Sequence, residues 1–231
     1  MNLHFENNDS CYLIKFGKKD YLEQIQKGLM RFTRLSYYRD FENETSDTMI
    51  RDEKEGVGIN FNSGSNISII FNHPRLQKSL DLSNIVSKVI SFPSCKKYIS
   101  CFSYFTALDV HNHTLFSERM LNEEYDSILF IIDSIGFVNE IKKATNNFIL
   151  KHGKVSYYNP KYNLYNLTEF DKTVDYKYQK EYRFSIEAIT KQNSKCQNDS
   201  ESIIIPYQPV NSVIIPINEF KNCFEIIGDE R

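Results

Sequence analysis

The sequence predicts a single α+β domain over residues 1–231, in which strands outnumber helices. Two observations carry this. Short segments of alternating or continuously apolar character recur along the whole chain, whereas helical periodicity is confined to a few stretches. Strands and helices do not alternate regularly, and the 8 glycines are dispersed without a dinucleotide or phosphate fingerprint, which argues against Rossmann and P-loop architectures.

The elements follow in order. Residues 11–16 (CYLIKF) read as a first strand. A helix over 18–27 places Tyr21, Leu22 and Ile25 at helical spacing, and Gly28 supplies its C-terminal stop. Residues 29–35 alternate as a second strand, followed by a short turn or helix, SYYRDF. The polar stretch 43–55 has no period and reads as a long loop. Residues 58–62 and 67–71 predict a hairpin across Asn62-Ser63-Gly64-Ser65, and 76–91 suits helix or strand. Residues 97–105 are a strand, 115–122 a short helix and 127–132 a buried strand. The clearest amphipathic helix spans 134–148, with Ile135, Val138, Ile141, Ala144 and Phe148 on one face. A strand at 153–158 and a Tyr- and Asn-rich connection at 159–176 lead to strands at 180–188, 202–207 and 212–217. A polar loop at 191–201 and a further strand at 224–227 complete the expectation.

Composition narrows the function classes. Hydrophobic residues make up 41% and charged residues 25%, ordinary for a globular chain. A net charge of −2 gives no global field to recruit nucleic acid, and the pairs Lys96-Lys97 and Lys142-Lys143 are too few for a basic stripe. The longest apolar run, 128–132, is too short to cross a bilayer, so no membrane partner is expected. The N-terminal residues lack a basic-plus-apolar leader, and five scattered cysteines without a CxxC pair suggest reduced thiols; together these predict a cytoplasmic protein. His111 and His113 sit two apart without further ligands nearby, so no metal site is expected. Cys101, in an apolar strand, reads as core. The acidic stretch 47–55 reads as a solvated charge run.

The segment 178–186 alternates: Tyr178, Tyr182, Phe184 and Ile186 point one way, Gln179, Glu181 and Arg183 the other. Such a strand either presents a carboxylate to a ligand or is half-exposed with a surface ion pair. Lys15-Phe16 before a helix, the Gly28-Leu29 step, Ser100-Cys101-Phe102-Ser103, and Gln179-Lys180-Glu181 stand in an order that resembles ADP-ribosyltransferases, although that family carries Arg or His where this chain has Lys15. Most of the chain also resembles an uncharacterised bacterial family often found beside phage-defence and abortive-infection genes. The matching segments are Leu13-Ile14-Lys15-Phe16, the spacing from Gly28 to Leu35, the acidic 51–56, Cys101-Phe102-Ser103, Lys154-Val155-Ser156-Tyr157 and Gln179-Lys180-Glu181-Tyr182-Arg183. The chain departs from that family in Gln179, where a Glu is usual, and in Phe116-Ser117-Glu118-Arg119, which replaces an aromatic helix.

The ADP-ribosyltransferase resemblance implies two packed, mainly antiparallel sheets and transfer of ADP-ribose from NAD to a macromolecule, protein or nucleic acid. The defence-family resemblance implies a toxin or effector with a phage component or cognate antitoxin as further partner. In that chemistry a carboxylate stabilises positive charge on the ribose as the nicotinamide bond breaks. Glu181 is the candidate carboxylate, and Gln179 would hydrogen-bond the acceptor. Ser103 would position the ribose or Glu181, and Tyr104 or Tyr37 would stack on nicotinamide. Lys15, Arg39 or Arg183 would pair with the pyrophosphate. Arg183 has a second reading, a salt bridge that locks Glu181. Two other functions stay open: a non-catalytic sensor that binds a nucleotide, a nucleic acid or a phage protein, and an RNA-directed nuclease or phosphotransferase.

Overall fold

The computed structural model describes residues 11–35, 37, 59–60, 68–70, 79–81, 89–90, 97–112, 116–121, 125–159, 161, 164–165, 167–188 and 201–223. The chain opens with β1 (Cys11–Gly17), α1 (Lys19–Gln26) and β2 (Leu29–Arg34). Leu13 on one face of β1 and Ile14 and Phe16 on the other are buried, which makes it an interior strand. α1 buries Leu22 and Ile25, one turn apart. Gly28 follows at φ +88°, the left-handed conformation that ends a helix cheaply only in glycine, and its carbonyl accepts from Tyr207 N–H at 2.8 Å.

Four short strands come next: β3 (Ile59–Asn60), β4 (Ser68–Ile70), β5 (Ser79–Asp81) and β6 (Val89–Ile90). The long β7 (Lys97–Thr106) leads into α2 (Ala107–His111) and a 3₁₀ turn at Glu118–Met120. β8 (Ser127–Ile131), α3 (Ser134–Ala144) and β9 (Phe148–Lys154) follow, then β10 (Ser156–Tyr158), β11 (Leu164–Tyr165) and β12 (Asp171–Thr173). A 3₁₀ segment, Val174–Gln179, precedes β13 (Glu181–Ala188), β14 (Ser202–Pro206), β15 (Ser212–Pro216) and α4 (Ile217–Cys223). The fold is α+β and dominated by antiparallel pairing.

Eight strands join in one sheet rather than two separate ones, because β7 pairs on both edges and one edge is shared. β13 runs along one edge of β7 from Lys97 to Ser103 and carries β9 outside it. On the other edge β2 pairs only with Tyr98 and Ile99, and β1 only with residues 103–106. The sheet therefore forks opposite Cys101, into a β2–β14 branch and a β1–β8–β15 branch.

Each face of the sheet has its own core. On one, Leu22 and Ile25 of α1 and Phe137 and Ile141 of α3 pack on Leu13, Phe32, Phe102, Leu129 and Phe184. On the other, Ile14, Phe16, Phe105, Ile128 and Phe130 lie under Phe116, Met120 and Phe220. Removing a side chain such as Leu22 from water contributes about 1.5–3 kcal/mol, so both layers tie their helices to the sheet.

Several expectations change. The amphipathic helix stops at Ala144, and Phe148 opens β9, because the whole length of β13 offers a ladder partner to residues 148–154. The expected helix at 115–122 is a single 3₁₀ turn. Among the described residues the expected hairpin partners pair elsewhere: β3 with β6 and β11, and β4 with β5, so the described parts of 76–91 are strands. Residues 43–55 and 224–227 lie outside the described residues.

Candidate functional site

β13 begins at Glu181 and not earlier because Lys180 adopts a left-handed conformation, φ 42°, that breaks the extended chain. Gln179 therefore ends a 3₁₀ segment instead of lying on the strand. Tyr182, Phe184 and Ile186 do pack on the α1/α3 core, as the alternation predicts. Glu181, Arg183 and Ser185 occupy the other face, but that face is not open to solvent. All three are buried, Arg183 to 1% exposure, beneath the segment that carries Glu169 and Lys172.

A polar network fills this layer. Glu181 receives Arg183 side-on, Nε to Oε1 at 2.5 Å and Nη2 to Oε2 at 3.2 Å. Lys172 Nζ donates to Glu181 Oε2 at 3.2 Å and to Gln179 Oε1 at 2.8 Å, so Gln179 reaches the site through Lys172. The remaining Arg183 nitrogen, Nη1, donates to the Glu169 carbonyl at 2.5 Å. The Glu169 carboxylate in turn accepts from Lys97 at 2.8 Å and from Ser185 Oγ at 3.4 Å. The Glu181 backbone N–H donates to the Tyr157 hydroxyl at 2.8 Å, and the Cys101 thiol hydrogen-bonds the Glu181 carboxylate.

Lys15 completes the group from the fork. Its Nζ donates to the Cys101 carbonyl, which lies where β1 and β2 have parted and no strand N–H is available. The ammonium also lies 5.5 Å from the Phe102 ring centre and 6.0 Å from that of Tyr21.

The charges decide what the site can do. Burial alone would push the Glu181 carboxyl up. The Arg183 and Lys172 charges outweigh it and hold the carboxyl well below the usual carboxylate range, with hydrogen bonds from Arg183 and Cys101 adding to the effect. Burial works against the Lys15 charge, while Tyr21, Cys101, Tyr125 and Glu181 favour it and leave its pKa above the ordinary lysine value. Glu181 is thus ionised at neutral pH with three cationic side chains acting on it. Such a group stabilises or anchors positive charge; it is a poor proton donor and a poor base.

Of the residues singled out in the sequence, Ser103, Gln179, Glu181 and Arg183 come together on one face, while the Lys15 ammonium, at the fork against Phe102 and Tyr21 of the α1/α3 core, meets Glu181 through its charge alone. Ser103 is the direct cross-strand neighbour of Glu181. Arg183 takes the locking geometry of its two readings. Tyr104 does not join them: its ring packs against the α1/α3 core on the opposite face, with Lys154 Nζ 4.9 Å from its centre. Tyr37 is helical, just after β2, and Arg39 and His113 fall outside the described residues. Among the described residues no group of three or more His, Cys, Asp or Glu could hold a metal ion. Lys172, Glu169 and Lys97 escaped sequence reasoning. Lys172 and Glu169 sit in an aperiodic connection, and Lys97 lies in a strand read for its apolar residues. Tyr157 lies inside a segment already quoted, Lys154-Val155-Ser156-Tyr157, and the hydroxyl contact gives that tyrosine a physical role.

Comparisons with protein-family models, curated proteins and solved structures found no match for this chain.

Proposed function

We propose that the chain transfers ADP-ribose from NAD to a macromolecular acceptor, as an effector of anti-phage abortive infection on an ADP-ribosyltransferase-like fold. The observation that carries this reading is Glu181, ionised at neutral pH beside Ser103 and within reach of the Lys15 charge, three residues distant in sequence. In the reaction the bond between the ribose C1′ and the nicotinamide nitrogen breaks, and nicotinamide leaves with the bonding electrons. A nucleophile of the acceptor bonds to C1′ and gives its proton to solvent. Positive charge develops on the ribose, and a fixed carboxylate lowers the energy of that state. The cationic surplus around Glu181 suits the pyrophosphate of NAD.

A second reading has its own support. Both Glu181 oxygens are engaged by Arg183 and Lys172, the arrangement of a fixed structural pair. A domain that binds a nucleotide without turning it over fits that lock. Incubation of the full chain with adenylate-labelled NAD and cell lysate separates the two. Label on a macromolecule, absent with Glu181→Gln, supports transfer. Saturable NAD binding with no label transferred and no nicotinamide released supports the sensor and overturns transfer.

A further inference from the structure

A second site lies on the opposite face of the sheet. A cavity of about 270 Å³ runs between α3 and the strands β1 and β13. α3 contributes Ile135, Val138, Asn139 and Lys142, at spacings of three, four and seven residues from the first, which form one stripe along the helix. Seven residues of helix make the groove about 10 Å long. The sheet contributes Leu13 and Tyr182.

The groove is chemically polarised along its length. At the end formed by the first turn of α3, Ile135 stands 58% exposed with its apolar surface in water, and Val138 follows it one turn along the helix. Two turns along the helix is the Lys142 ammonium. Among the described residues no carboxylate pairs with it, because the nearby Glu140 bonds Lys143 at 2.6 Å. Burial, with the Lys142 charge adding to it, depresses the His152 imidazole pKa. His152 Nδ1 lies 2.7 Å from the Tyr182 hydroxyl at the groove wall. Asn139 adds an amide between the two ends.

We propose that this groove binds a small elongated carboxylic acid, an acyl or aryl-alkyl chain about 10 Å long, with its carboxylate on Lys142 and its apolar end against Val138 and Ile135. The Lys142 cation, which no described carboxylate pairs, and the exposed isoleucine are each complementary to one end of such a molecule. The site is independent of NAD chemistry, since Glu181 points to the other face.

Titration of the full chain with phenylbutyrate, followed by calorimetry, tests this, with the neutral phenylbutyramide as the comparison. Phenylbutyrate should bind more tightly than the amide. Lys142→Gln should weaken the acid by about tenfold, the size of a charge-assisted hydrogen bond, and leave the amide unchanged. Ile135→Asp, at an exposed position that folding tolerates, should abolish binding of the acid. The proposal is overturned by absence of binding at millimolar concentration, by equal affinity for acid and amide, or by an unchanged affinity in Lys142→Gln.

Discussion

Glu181→Gln removes one charge from the centre of the buried network and keeps the side chain's size. The wild-type carboxylate accepts from Arg183 Nε, Arg183 Nη2 and Lys172 Nζ, all buried. A glutamine in its place offers one acceptor oxygen and turns an N–H₂ toward one of these donors. Two cations then remain buried against a neutral amide. Breaking a buried ion pair from one side costs about 3–5 kcal/mol. In a chain of this length each kcal/mol lowers the midpoint by about 2–4 °C, so Tm should fall by about 6–20 °C. Thermal unfolding followed by circular dichroism reads this directly. The double variant Glu181→Gln/Lys172→Gln removes one of the stranded cations and should recover part of the loss, a coupling between neighbours that additive effects do not produce. A single variant within about 2 °C of wild type, or a double variant whose loss is the sum of the two singles, would refute the network as described.

Two other outcomes follow from the same buried charges and backbone. Glu181, Glu169 and Asp109 all have carboxyl pKa values depressed in the folded protein. Depressed folded values give stability that is present above the unfolded value of about 4 and lost as pH falls through the folded values. Tm should therefore decline with acidification below about pH 4, and Glu181→Gln should flatten that decline. Gly28→Ala should destabilise by at least about 1–2 kcal/mol for the left-handed backbone alone, since its Cβ would also collide with the Tyr207 carbonyl oxygen; urea unfolding measures this.

The elements legible in the sequence are those whose periodicity and partners agree. β14 and β15 lie where short continuous apolar runs place them, and α1 ends where Gly28 requires. Phe148 misleads because its side chain satisfies the helical stripe and the strand equally, and only the long-range ladder with β13 decides between them. Glu181, Ser103 and Lys15 were visible as motif positions. The cover over them was not, because Lys172 reaches the site through a parallel pairing of β12 with β10 that leaves no trace in local pattern. Burial of the polar face of β13 was invisible for the same reason: alternation separates two faces but does not say which is covered.

The central claim is that the Glu181 charge serves the bond between ribose and nicotinamide. Nicotinamide release from NAD by the purified chain, compared with Glu181→Gln below the variant's unfolding range, tests it most directly. The wild type should release nicotinamide, and the folded variant should lose about 10²–10³-fold, the usual effect of removing one electrostatic stabiliser. Equal rates in the two proteins, or no release by the wild type with any acceptor supplied, would contradict it.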